Sequence, residues 1–140
     1  MEYRNKMNLK FLSLGENESF ARLAVASFCS NVNFSIEDIS DIKTAVSEGV
    51  TNAIVHAYDD IGEVEIQCTI FQDYVEILII DSGKGIDNID EAMKPFFTTK
   101  PDKERSGMGF TVMEGFMDKM EVKSEKDKGT CVKLIKKIQK

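Results

Sequence analysis

The chain has little cysteine, no long apolar run and no surplus of positive charge, and each shortage excludes something. Its three cysteines, Cys29, Cys68 and Cys131, are far apart with no CxxC among them. That argues against a disulfide framework and against a zinc site, and leaves three thiols among apolar neighbours, where free cysteine is commonly buried. No apolar stretch approaches the about 20 residues that span a bilayer. The Met1-Glu2-Tyr3-Arg4-Asn5-Lys6 start has no signal-peptide core, so the expected location is the cytoplasm, with no membrane contact. A formal net charge of −6 disfavours direct nucleic-acid binding, because phosphate neutralisation needs excess Lys and Arg. Any phosphate-binding role must come from a local cluster. There is no GxxxxGK[ST] loop, no protein-kinase HRD or DFG set, no internal repeat and no linker. The 140 residues, 42% hydrophobic and 30% charged, are expected to form one domain, 1–140, around one core.

What is present reads as alternating short elements. Asn8 to Leu14 is an opening strand, and Gly15 ends it. Glu16 to Ser19 starts a helix with an apolar stripe of Phe20, Leu23, Ala24 and Phe28, ending near Asn31; Arg22 lies off that stripe. Ser35 and Asp38 resemble a capping box opening a second helix, Ile36 to Tyr58. Its inward stripe is Ile39, Ile42, Val46, Val50, Ala53 and Ala57. Val64 to Phe71 and Tyr74 to Ile80 form a hairpin around Gln72-Asp73, the second strand being apolar enough to be central. Asn88 to Met93 suits a helical turn, and Phe110 to Lys119 a third helix. Glu121 to Ser124 and Thr130 to Ile138 close the chain, the last with lysines that suggest the exposed face of an edge strand.

Four segments carry chemistry. Glu48, Asn52 and His56 stack at i, i+4 and i+8 along one side of the second helix. For a helix alone the ordinary reading is a solvated face. Asn52 can nonetheless ligate Mg²⁺ through its amide oxygen, and Glu48 can orient or deprotonate a hydroxyl. Asp81-x-Gly83-x-Gly85 leaves the end of a buried strand, where Asp can accept from an exocyclic amine and glycines permit close approach of a flat ring. No helix follows directly and a third glycine is missing, so a dinucleotide-binding unit does not fit. Lys94 to Ser106 holds both prolines and the cations Lys94, Lys100, Lys103 and Arg105, the composition of a functional lid. It runs into Gly107-Met108-Gly109 at a helix start, where free N–H groups attract phosphate. Gly129-Thr130 opens the last strand. In this order the four features suggest phosphoryl transfer.

These segments resemble the Bergerat-fold ATPases, the group that includes gyrase and the histidine kinases. The likeness is closest to the small anti-sigma-factor serine kinases, in their sporulation branch, the anti-sigma-F factors. It rests on Asn17 to Arg22, Val46 to Tyr58, Pro95 to Pro101 with Phe97-Thr98-Thr99-Lys100, and Arg105 to Phe110, and covers nearly the whole chain. It implies an α/β (α+β) two-layer sandwich, a mixed, mainly antiparallel sheet covered on one face by three helices. It also implies ATP and Mg²⁺ as cofactors. Glu48 matches the general base and Asn52 the magnesium ligand. Asp81 matches the residue that bonds the adenine amine, flanked by Gly83 and Gly85, and Thr130 a second adenine contact. Thr98, Thr99, Lys100 and Ser106 belong to the matching lid, Arg105 would reach the terminal phosphate, and Gly107, Met108 and Gly109 would hold the phosphates. Arg22 matches a surface arginine used by both partners, a sigma factor (sigma F) and an anti-anti-sigma protein substrate. A homodimer is implied as well.

Three other readings stand beside this one. A stress-response kinase of the same group would act on another sigma factor. A histidine-kinase ATPase module would need a phosphoacceptor, and the single histidine, His56, reads more simply as helix surface. A pure binding module would hold ATP without using Glu48.

Overall fold

In the computed structural model, which describes residues 2–86, 89, 93 and 109–139, five strands form one sheet and the helices pack on one of its faces. The order is β1 (Asn5–Leu12), α1 (Asn17–Cys29), α2 (Ile36–Asn52), a π-helical turn (Ala53–Ala57), β2 (Glu63–Ile70), β3 (Tyr74–Asp81), α3 (Gly109–Phe116), β4 (Lys119–Glu125) and β5 (Gly129–Lys137). The strands lie in the order β1-β2-β3-β5-β4. The expected two-layer α+β architecture is present, and all four strand pairings are antiparallel, so the sheet is not mixed.

β3 is central, as its apolar run suggests. β5 is not the edge strand its lysines suggest: it lies between β3 and β4, and Lys136 is buried. Along β5 the residues facing the helices are Val132, Leu134 and Lys136, a strict period of two in which a lysine replaces an apolar residue. β4 starts at Lys119, so the third helix is shorter than expected.

The largest difference concerns α1. Its buried residues are Ala21, Val25, Ala26 and Cys29, while Phe20 and Leu23 are each 52% exposed. Small side chains let α1 lie close to α2 and the sheet, and Cys29 Sγ reaches 3.9 Å from Cys68 Sγ of β2. The contact with Cys29, together with burial, holds the Cys68 thiol far above its ordinary range. Cys131, expected to be buried too, is only partly so.

α2 is the central helix of the layer. The Ser35–Asp38 capping box is present in both directions: Asp38 N donates to Ser35 Oγ at 3.0 Å and Ser35 N to Asp38 Oδ2 at 3.3 Å. Ile42, Val46 and Val50 are fully buried, each contributing about 1.5–3 kcal/mol by transfer from water. The buried stripe also takes in Ala45 and Gly49, while Ile39 is partly exposed. A Cβ on Gly49 would stand 2.5 Å from Ile79 Cδ1 of β3 and 3.2 Å from Met113 Sδ of α3. The missing methyl group is what lets three elements meet there, a packing reason that outweighs the helix-propensity cost of about 1 kcal/mol.

Candidate nucleotide site

The site gathers where α2 ends, α3 begins and β3 leaves the sheet. Glu48 and Asn52 are half-buried on neighbouring turns of α2. Asn52 is its last residue, and the π turn that follows has a wider pitch than the constant one on which the i, i+4, i+8 spacing of His56 depends. The two-residue line of Glu48 and Asn52 remains. A Cβ on Gly109 would lie 2.9 Å from Asn52 Nδ2 and 3.0 Å from Oδ1. The first residue of α3 is therefore pressed against the Asn52 carboxamide. This joins two features about sixty positions apart in sequence, an amide able to ligate a cation and a helix N-terminus able to hold phosphate.

Asp81 forms the other wall. Its Oδ1 accepts from Gly83 N at 3.0 Å and from Thr130 N at 3.3 Å. Burial pushes its carboxyl above the ordinary value, while those two backbone bonds pull it back down. Thr130 Oγ1 lies 2.7 Å from Ser124 Oγ, which itself accepts from Ile86 N at 2.7 Å. Ser82 N donates to the Tyr58 hydroxyl at 2.8 Å, and Lys84 N to Ala57 O at 2.8 Å. The turn after β3 is thus sewn to the end of the π turn on one side and to β4 and β5 on the other.

Its glycines serve that stitching. A Cβ on Gly83 would fall 2.0 Å from Ala57 O, and Gly85, at φ +76°, approaches Glu125 O. The close approach expected toward a flat ring is here made to the protein's own backbone. It fixes the Asp81 carboxylate without side chains crowding it.

Residues 13–136 match the family described as histidine kinase-like ATPase domain. An anti-sigma F factor of Caldanaerobacter subterraneus is 54% identical over 99% of this chain and 97% of its own length. One from Clostridium beijerinckii is 56% identical over 96% of this chain and 95% of its own. The chain belongs to the anti-sigma F factor family of histidine kinase-like ATPase domains. The fold agrees with a crystal structure of the RsbU and RsbW domains of a Mycobacterium tuberculosis protein. That likeness has a TM-score of 0.70 at 17% identity, covering 94% of this chain and 32% of the longer one.

Of the family-matched positions, the structure brings Asn52 and Gly109 into contact, and likewise Asp81, Gly83 and Thr130. Arg105, Thr98, Thr99, Lys100, Ser106, Gly107 and Met108 lie outside the described residues, as does the whole Lys94–Ser106 segment. Arg22 is about one-third exposed, 3.5 Å from Glu18 in an i, i+4 ion pair, with its Nη2 donating to Ser19 Oγ at 3.2 Å. It lines a cleft of about 180 Å³ between α1 and α2, with Ser40, Lys43, Thr44, Ser47 and Glu48. Arg22 and Glu48 therefore share one opening, which spacing along two separate helices could not show.

Sequence reasoning missed Tyr58 and Ser124, the hydroxyls that tie down the turn after β3. Ser124 sits in no motif, and Tyr58 closes the family-matched Val46 to Tyr58 segment with no role assigned to it there. Among the described residues no group of three or more His, Cys, Asp or Glu gathers to hold an ion, and no helix is long and apolar enough to cross a membrane.

Proposed function

We propose that this chain is an ATP-dependent serine protein kinase that also holds a sigma factor, sigma F, and phosphorylates that factor's anti-anti-sigma antagonist. The whole chain, 1–140, acts as one cytoplasmic domain. The observation that carries the reading is the contact between Asn52 and Gly109, one helical turn from Glu48.

The residues present fit Mg-ATP. Asn52 offers an amide oxygen, and Mg²⁺ is commonly held by one or two protein ligands plus phosphate oxygens and water rather than by a protein cage. Bound there, the ion would neutralise phosphate charge. The chain does the rest. Asp81 accepts from the adenine amine, positioned by Gly83 N and Thr130 N. The N-terminus of α3 turns its free N–H groups toward phosphate, with Arg105 adding charge at the terminal group. Glu48 takes the proton of the incoming serine hydroxyl. The cleft it shares with Arg22 gives a partner's segment a way in.

The partner surface on α1 is supported by Phe20 and Leu23, large apolar residues exposed on either side of Arg22. For the homodimer, support comes from the open sheet face. Leu78, Ile80 and Ile135 are partly exposed there, beside the Lys133 pairs with Glu76 and Glu121.

The test is incubation with labelled ATP and the candidate antagonist, wild type against Glu48→Gln. Acid-stable phosphoserine on the antagonist, reduced by about 100-fold or more in the variant with nucleotide affinity kept, is the expected result. Label on the chain itself, or full transfer by Glu48→Gln, would remove the assignment.

A further inference from the structure

We infer that Lys136 is a positioning residue for the nucleotide site, holding α3 so that Gly109 stays seated on Asn52; the inference rests on ATP being bound there. Lys136 is only 8% exposed. Its Nζ donates to Phe116 O, the last carbonyl of α3, at 2.6 Å and to Asp41 Oδ2 of α2 at 3.3 Å. Carbonyls in the last turn of a helix have no partner within it and carry the negative end of its dipole. α3 has no basic residue in its own last turn. Lys136 supplies that cation from β5, through a charge-assisted bond in a shielded place.

The chain just beyond α3 is held by the same strand. Asp118 N donates to Ile135 O at 2.9 Å, and Lys137 N donates to Asp118 Oδ2 at 2.7 Å. α2 and α3 therefore meet at three levels in antiparallel order: Asp41 through Lys136 to Phe116, Gly49 on Met113, and Asn52 on Gly109. α3 is eight residues long, about 12 Å. A lever that short transmits any loosening at Phe116 to Gly109. Asp41 lies on the same helix as Glu48 and Asn52, so the brace refers α3 to the element bearing the reacting groups.

The measurement compares wild type, Lys136→Met and Lys136→Arg for Mg²⁺-dependent binding of a fluorescent ATP analogue, well below each thermal midpoint. Amide hydrogen exchange of α3 is followed alongside. Lys136→Met keeps the side-chain length without the charge, and is expected to bind about tenfold more weakly, because a smaller fraction of molecules has α3 seated. Exchange in α3 should rise while β1 and β2 stay as in wild type, and Lys136→Arg should recover both readouts. A folded Lys136→Met variant with wild-type affinity overturns the positioning role. So does failure of Lys136→Arg to restore binding, and so does failure of Lys136→Met to fold, which would make Lys136 part of the core alone. If wild type itself did not bind the analogue, the ATP reading would fail and this role with it. Unchanged α3 exchange beside normal wild-type binding would defeat the brace alone.

Discussion

Replacing Gly109 by alanine should separate stability from function. The new Cβ would meet Asn52 Nδ2 at 2.9 Å, Oδ1 at 3.0 Å and Cγ at 3.3 Å. These atoms end a flexible side chain, so the carboxamide turns aside and no backbone has to move. An off-rotamer side chain costs about 0.5–1.5 kcal/mol. Alanine in place of glycine in a helix returns up to about 1 kcal/mol. The two nearly cancel, and the thermal midpoint should shift by no more than about 4 °C for a domain of this size. Function has no such offset. Displacing a positioned group by about 1 Å can cost on the order of 100-fold in rate, and the Asn52 oxygen has to move to clear the methyl group. Gly115 in the same helix is the control, since a Cβ there meets nothing within 4 Å. Gly115→Ala should stabilise slightly and leave ATP binding alone. Calorimetry, titration with a fluorescent ATP analogue and a phosphotransfer assay on the three proteins decide the matter. A Gly109→Ala protein with wild-type nucleotide affinity and turnover would refute the placement of Asn52. One that loses stability and binding in parallel would make Gly109 a packing residue only.

Gly49→Ala drives a methyl group against Ile79 Cδ1 and Met113 Sδ; overpacking of about 1–3 kcal/mol outweighs the helix gain, so its thermal midpoint should fall. Adding Ile79→Val removes the clashing atom, and a double-mutant cycle should show the pair to be less damaging than the sum of the singles. Burial raises the Asp81 carboxyl pKa, so between its ordinary and raised values the folded chain binds more protons than the unfolded one. Stability from this group is greatest below that window and declines as pH rises through it. Asp81→Asn should abolish that dependence in pH-resolved denaturation. It should also weaken ATP binding by about tenfold or more, because an amide NH₂ cannot accept from adenine. Unchanged affinity would remove Asp81 from the adenine contact.

Much of the fold was legible because its cues are local. The Ser35–Asp38 box, the turn at Gln72-Asp73 and the period-two strands each depend on neighbours in sequence. The sides of α1 were misjudged because hydrophobicity favours burying Phe20 and Leu23, whereas close packing favours Ala21, Ala26 and Cys29. The lysines of β5 were read by charge when the alternation of Val132, Leu134 and Lys136 already pointed the last one inward. Its partners, Asp41 and Phe116 O, lie 95 and 20 positions away. In the site, Asn52 meets Gly109, and Asp81 meets Gly83 and Thr130, as two separate sets of contacts among the described residues. The hydroxyls of Tyr58 and Ser124 were missed because their role exists only once distant segments meet. The π turn after Asn52 was illegible for a different reason: helix periodicity assumes a constant pitch.

β3 and β5 are hydrogen-bonded neighbours, with Asp81 opposite Thr130, although 48 residues separate those two positions. The 48 intervening residues, α3 and β4 among them, thus form a long excursion whose two ends the sheet already holds together. Closing a longer loop adds only about 0.6 kcal/mol per doubling of its length. A change in the length of that excursion therefore costs little beside the strand pairing that closes it. The Asp81–Thr130 corner of the site is therefore set by strand pairing and not by the length of the excursion that joins its two sides.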